Sequence, residues 1–448
     1  MQKRIKSWVF LSVFLAALLC HINIDAAQTE DKPVIRVNYV AMLNVLGKAG
    51  RDENLNAAPY YKKAFKLYVK PPERISADVE AWPKDLPEEK QTLLEDWFSA
   101  NSNALEQLKL GAQKPYYWSE YQGSFVAAVL MPGLQQARIL MRAICLRAKL
   151  SATKGDFKEA FSDLLVCHQF GEHFTGPKNL VEQLVGISIR KYTVEVAFQI
   201  LDKEKPATKL LKDFQEKLQV LSTKQSRIID FTFDKFFVYD VIQRMFTDDG
   251  KGGGHVFKGS GKQKYNWPED LKELAAELTP TEEQLREWEK MERRQTTELT
   301  DKVFEYLDGA GQRIPAQLHG EGKDLEKAVE EIIKDNPMLK VLLPAYGRVL
   351  ELAHRGKAET DALIVALGLL QYKAEKRQFP ASLTELISAD YLKELPIDPY
   401  SGKPLAYKRT ENNFMLYSFG ADFDDDGGVR SKWGEGEQGG DQVFWPVE

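Results

Sequence analysis

The sequence predicts a mainly α-helical protein, a multi-helix, solenoid-like body followed by a small α+β module. Three observations carry this. Helical spacing of apolar residues runs from Val34 to Phe246, punctuated by Pro71-Pro72, Pro83, Pro87 and Pro115. A long helix-forming stretch follows Pro344 and runs to about Lys376. After Pro380 the pattern changes to short β-prone runs, Leu405 to Lys408, Phe414 to Ser418 and Gln442 to Trp445, between turns rich in Pro, Gly and Asp.

At 448 residues the chain can hold two or three domains. Hydrophobic content of 43% and mean hydropathy of −0.39 fit a globular protein rather than a disordered or multi-span one. The expected division is a signal peptide over 1–26, a helical domain over 27–344 and the α+β module over 345–448.

The N-terminus reads as a targeting segment. Lys3, Arg4 and Lys6 precede the apolar run Trp8 to Leu19, and small residues follow at Ala26 and Ala27. The run falls short of the roughly 20 apolar residues a bilayer span needs. Cleavage is expected after Ala26, with Ile24 three positions back. Cys20 raises a lipoprotein reading, but Leu19 before it is too large for the usual lipobox. The expected location is periplasmic, envelope-associated or extracellular, with no transmembrane span after cleavage.

Removing that segment takes away three bases and one acid, so the mature chain carries −7 against −5 for the whole. Residues 410–448 hold nine acids and two bases, which is the same −7. The helical body is therefore neutral overall, and a nucleic-acid partner, which would need a basic stripe, is not expected.

Asn56-Ala57-Ala58-Pro59 followed by Tyr60 to Tyr68 reads as a helix with Pro in its first turn. Another follows Asp85 and Pro87, with Leu94, Trp97, Phe98, Asn101 and Leu105 on one face. Residues 134–171 form the clearest hairpin. Leu134, Ala137, Met141, Ile144, Cys145 and Ala148 make one stripe; Phe157, Ala160, Phe161, Leu164 and Leu165 make its partner. The turn Lys154-Gly155-Asp156-Phe157 with Ala160 resembles a tetratricopeptide helix pair, although no repeat array follows. Cys145 and Cys167 lie about equally far on either side of Gly155, so they are expected to face each other. They are read either as a disulfide or as two buried thiols.

Helices near 178–201, 207–222 and 226–246 continue the stack. The last is apolar round most of its circumference, with Asp230, Asp234 and Gln243 marking a narrow solvent edge. Residues 248–264, rich in Gly and Lys, read as a mobile surface loop and lack the spacing of a phosphate loop. Further helices are expected near 269–278, 281–308 and 323–334.

From Lys357 on, the chain resembles the globular part of the major pseudopilin of type II secretion systems. Ala362 to Tyr372 looks like the end of the long pilin helix, and Gln378-Phe379-Pro380 with Leu383 and Leu386 like its exit. Tyr391-Leu392 and Leu395-Pro396-Ile397-Asp398-Pro399-Tyr400-Ser401-Gly402-Lys403-Pro404 look like the turn after it. Phe414, Tyr417-Ser418-Phe419-Gly420-Ala421-Asp422 and Asp441-Gln442-Val443-Phe444-Trp445 look like the calcium-bearing sheet. The resemblance covers about the last fifth of the chain. It implies a calcium loop in which Asp422 and Asp441 are ligands and Phe419 supplies a carbonyl. Gly440 stands where the family often has a second acid, and the loop here is longer. The G-F-T-x-x-E prepilin site is absent, so polymerisation into a pseudopilus is not expected.

Read by its own chemistry, Asp422-x-Asp424-x-Asp426-Gly427 opens a D-x-D-x-D-G calcium loop, with the Gly428 carbonyl at the next ligand position. Calcium takes six to eight hard oxygen donors, so converging carboxylates make sense. Trp433 occupies the twelfth position, so Glu435, Glu437 or Asp441 would close the shell. No helix flanks the loop, which excludes an EF-hand. The bland alternative is a solvated acidic turn. Affinity on the order of 0.1–1 mM is expected, as in extracellular modules.

Other candidates are weaker. Cys167, His168 and His173 with Cys145 match no common zinc spacing. Tyr116, Tyr117, Trp118 and Tyr121 could form a stacking platform, but aromatics after a Pro more often fill a groove between helices. No G-x-S-x-G, H-E-x-x-H or Cys–His nucleophile arrangement is present. No catalytic residue is assigned. The leading expectation is an exported, non-enzymatic interaction or scaffold protein with a protein or peptide partner. The alternatives are an accessory component of a type II secretion or pilus-like machine, and an extracytoplasmic enzyme with its site in the helical body.

Overall fold

The computed structural model describes residues 30–76, 81–129, 131, 133–223, 227–257, 282–431 and 439–447. The signal segment, the helix expected near 269–278, Trp433, Glu435 and Glu437 lie outside these.

A short ribbon pairs β1 (Glu30–Pro33) antiparallel with β2 (Thr247–Asp248). Helix α1 (Tyr39–Lys48) starts where the Asn38 side chain accepts from the Ala41 amide at 2.9 Å, and α2 (Ala58–Leu67) carries Pro59 in its first turn as expected. The helix expected after Pro87 is two helices, α3 (Glu88–Ala100) and α4 (Ser102–Ala112). The break is Asn101, fully buried, whose side chain accepts from the Val69 amide at 2.9 Å and donates to the Val69 carbonyl at 3.0 Å. A buried amide that serves a neighbouring segment's backbone competes with helix continuation.

The hairpin is α5 (Leu134–Thr153) and α6 (Phe157–Glu172). Gly155 takes the left-handed turn at φ +80°, and Asp156 caps α6 through the Glu159 amide at 3.1 Å. Arg147 Nε donates to Asp163 at 2.7 Å across it. Cys145 and Cys167 do face each other, as buried free thiols with Sγ atoms 3.7 Å apart.

Helix α7 (Leu180–Lys203) crosses α6 at two glycines. A Cβ on Gly186 would lie 2.6 Å from the Gly171 carbonyl oxygen, so only glycine permits this approach. Helix α8 (Thr208–Ser222) stacks Phe214 on Phe161 at 4.5 Å.

Helix α9 (Thr232–Met245) begins later than the expected 226. Gln183 accepts from the Asp230 amide at 3.0 Å and donates to its carbonyl at 2.7 Å, while Asp230 accepts from Thr232 N at 2.9 Å. These bonds hold residue 230 outside the helix. Gln243 is not on a solvent edge. It is buried and accepts from the Arg36 and Val37 amides at 3.2 Å.

Residues 248–257 of the Gly/Lys-rich loop form a built turn. Asp249 accepts from Lys251 and Gly253 amides at 2.8 Å, Val256 is buried, and Phe257 N donates to Met245 O at 2.8 Å. The helix expected over 281–308 is α10 (Glu282–Trp288) and α11 (Arg293–Ala310), separated where the buried Trp288 and Met291 anchor a bend.

Three short helices follow, α12 (Pro315–Gly320), α13 (Leu325–Ile332) and α14 (Pro337–Leu342). Then comes α15 (Tyr346–Lys376), with α16 (Thr384–Ser388) after it. The sheet is antiparallel in the order β3 (Ala406–Arg409), β4 (Phe414–Ser418), β5 (Gln442–Trp445). The fold is thus mainly α with a small C-terminal sheet, as the sequence predicts.

The expected boundary at 344/345 does not divide the core. One hydrophobic cluster joins α5–α8 to Leu363, Leu367, Phe414 and Trp445. A second joins α9, α11, α13 and α14 to Tyr346, Val349 and Leu350 at the start of α15. Each buried Leu or Phe contributes roughly 1.5–3 kcal/mol, so α15 is bound into both halves. Buried amides fix its register: Gln371 Nε2 donates to Gln215 Oε1 at 2.8 Å, and Gln215 Nε2 to the Ile364 carbonyl at 2.9 Å. Among the described residues no helix is long and apolar enough to cross a membrane.

Candidate cation site in the C-terminal loop

The loop is built from the end of β4. Ser418 is buried and donates to Asp398 Oδ1 at 2.5 Å. Asp398, also buried, accepts from the amides of Tyr400 at 3.2 Å, Ser401 at 3.1 Å and Phe419 at 3.3 Å. One carboxylate therefore closes the Leu395–Pro404 turn and holds the strand exit. Gly420 then turns at φ +79°, where a Cβ would lie 2.9 Å from the Gly440 carbonyl oxygen.

Asp422 Oδ2 accepts from the Gly440 amide at 2.7 Å, and its Oδ1 from Asp424 N at 3.3 Å. Asp441 is 1% exposed, and its Oδ2 accepts from Gly428 N at 2.6 Å. Its other oxygen, Oδ1, is buried with no hydrogen-bond partner among the described residues. Burial pushes the Asp441 carboxyl up to about 6, the charges of Asp425 and Asp426 add to this, and the Gly428 and Asp426 amides oppose it. Asp422 Oδ2 and Asp426 Oδ2 come within 3.3 and 3.7 Å of the point where a Gly439 Cβ would stand. Two carboxylates thus flank the same glycine, next to the buried Asp441.

The remaining expected ligands are placed differently. Asp424 is exposed, and its Oδ1 accepts from Asp425 N at 2.9 Å. Phe419 engages Asp398 through its amide, and Gly428 engages Asp441 through its amide. Among the described residues no three His, Cys, Asp or Glu side chains converge closely enough to hold a metal ion. The fit to a cation rests on Asp422 and Asp426, which both flank Gly439, and on the unpartnered Asp441 Oδ1.

Sequence reasoning missed the supports. Asp425 accepts from the Tyr417 hydroxyl at 2.9 Å, and Lys408 Nζ donates to the Gly427 carbonyl at 2.9 Å. Gly428 takes the left-handed conformation at φ +91°, which favours glycine, and a Cβ there would also push the Met415 side chain aside. Phe423 has φ +66° and stacks on His319 of α12, with centroids 4.1 Å apart. Only Asp398 had a visible signal, as the Asp of an Asp-Pro turn.

The other candidates are core residues. His168 is buried, and desolvation with the nearby Arg190 charge pulls it down to about 3. His173 contacts the Tyr61 hydroxyl at 2.5 Å. Tyr116, Tyr117, Trp118 and Tyr121 are all buried and fill the space between helices, so they form no open platform. The buried Lys178 ammonium lies 5.2 Å from the Trp118 ring and donates to the Tyr117 carbonyl at 3.0 Å; burial pulls it down to about 8.

Comparison with protein-family models, curated proteins and solved structures gave no match.

Proposed function

We propose that this chain is an exported, non-enzymatic interaction or scaffold protein whose C-terminal module is stabilised by calcium. The observation that carries the calcium reading is Asp441, a buried carboxylate with one oxygen unpartnered beside two further aspartates. Such a group is costly to charge in isolation and gains from a neighbouring cation. Asp422, Asp426 and Asp441 would have to be drawn together to hold the ion, with Phe419, Asp424 and Gly428 as the further ligands the sequence suggests. The ion's role is structural, drawing the β4 exit and the β5 entry together.

The scaffold reading is supported by where the helical body spends its distinctive residues. Tyr117, Trp118, Cys145, Cys167 and His168 are all buried in packing between helices. A protein or peptide partner is proposed for the exterior. The alternative of an accessory role in a type II secretion or pilus-like machine is favoured by one observation: Asp398 and Ser418 join the two motifs that carry the pseudopilin resemblance.

Calorimetric titration of the mature protein with calcium, with magnesium as control, tests the first half. Heat of binding in the millimolar range or tighter is expected, and its absence overturns it. Pull-down of the tagged protein from its native envelope, with and without calcium, tests the second. Recovery of a stoichiometric partner is expected; recovery of secretion components moves the reading to the alternative.

A further inference from the structure

We propose that the ion in the acidic loop also fastens the segment Gly311–Lys323 of the helical body, through the stack of Phe423 on His319. This rests on the calcium reading above and names what that site regulates.

The loop alternates. Asp422 and Asp424 flank Phe423, which holds φ +66°, a conformation an aromatic residue adopts only when its surroundings impose it. Its ring is half-buried and lies against the His319 ring with an interplanar angle of 10°, and against Tyr400 at 5.9 Å. His319 belongs to α12, and the Ala316 amide of that helix donates to the Pro399 carbonyl at 2.9 Å. The Tyr400 hydroxyl in turn donates to the Glu351 carbonyl on α15 at 3.2 Å. The Asp398 turn, the acidic loop and α12 therefore meet around one ring.

A cation that draws Asp422 towards Asp426 and Asp441 fixes the backbone on one side of Phe423, and so fixes the ring's direction. Without it, aspartates at 422, 424, 425 and 426 repel one another, and the residue between the first two is free to leave its left-handed conformation. The stack is exposed on its His319 side, and Tyr400 is the other ring against Phe423. The Gly311–Lys323 segment would then lose its tie to the acidic loop and keep its contacts with the Asp398 turn and α15, among them the Ala316 amide on the Pro399 carbonyl and the Arg313 backbone on His354. Two sites that bias one two-state element are thermodynamically coupled, so the docked helix must also raise calcium affinity.

Hydrogen exchange of the full mature chain tests this, reading peptides that span Arg313–Gly322 with calcium, with magnesium and with chelator. Calcium should slow exchange there by roughly fivefold or more, and chelator should reverse it. His319→Ala, a change at an exposed position, should abolish that slowing and weaken calcium binding by about the same factor. Phe423→Gly, which removes the ring and the backbone strain together, should do likewise. If calorimetry shows no calcium binding, the underlying reading falls. If calcium binds but exchange at Arg313–Gly322 is unchanged, or if His319→Ala leaves both affinity and protection intact, the coupling is wrong and the structural site stands.

Discussion

Ser418 and Asp398, twenty positions apart, share a buried 2.5 Å hydrogen bond that locks the end of β4 onto the turn before β3. Asp398 accepts from four donors in all, the Ser418 hydroxyl and the amides of Tyr400, Ser401 and Phe419. Asp398→Ala leaves these amides unpaired and should destabilise the protein by roughly 3 kcal/mol or more, while Ser418→Ala should cost about 1–2 kcal/mol. Urea unfolding of the single and double variants checks this. The double variant should fall well short of the sum, because both changes break one network.

Calcium should raise the melting temperature. A ligand at ten times its dissociation constant stabilises the native state by about 1.4 kcal/mol. Melting in 10 mM calcium against chelator should show this for the native chain and not for Asp422→Ala. An unchanged midpoint in the native chain sinks the site.

The apoprotein should lose stability as pH rises through Asp441's range. Its folded carboxyl sits at about 6 against an ordinary 3.8, so between these values the folded state holds the proton that the unfolded state has released. The penalty is absent below about pH 4 and complete above about pH 6. Asp163 and Glu359, pushed up by burial to about 6 and 7, act in the same direction, so the comparison must be with Asp441→Asn. In chelator the variant should show a shallower fall in urea midpoint between pH 4.5 and 7, and calcium should flatten the native profile likewise.

Gly186→Ala should separate α6 from α7. The added methyl meets the Gly171 carbonyl oxygen at 2.6 Å, and neither backbone can yield without moving its helix. A loss of about 1–3 kcal/mol is expected from this overpacking, measured by thermal or urea denaturation.

Local chemistry made much of the fold readable. The 134–171 stripes, the glycine turn between them and the three β runs all follow from spacing within one element, and each stands where the sequence puts it. The exceptions have distant causes. Asn101 splits a continuous helical stripe because its amide serves Val69, and α9 starts late because Gln183 holds Asp230. Polar side chains that bond another segment's backbone look, in sequence, like ordinary surface residues. The site divides in the same way. Asp422, Asp424 and Asp426 could be named because motif spacing is local, and Asp441 because of the pseudopilin resemblance. The stack of Phe423 on His319 could not, since nothing in either neighbourhood points to the other.

The two cores that meet on α15 impose an order on the birth of the protein. Gln215 finds its partner Gln371 156 residues later, and the apolar faces of α7 and α8 are made long before the helix that covers them. Until the last quarter of the chain emerges, those faces must be kept from other chains, because long-range closure is slow and leaves them open to aggregation. A protein truncated before Tyr346 would therefore not be a smaller version of this one, but an unfinished one.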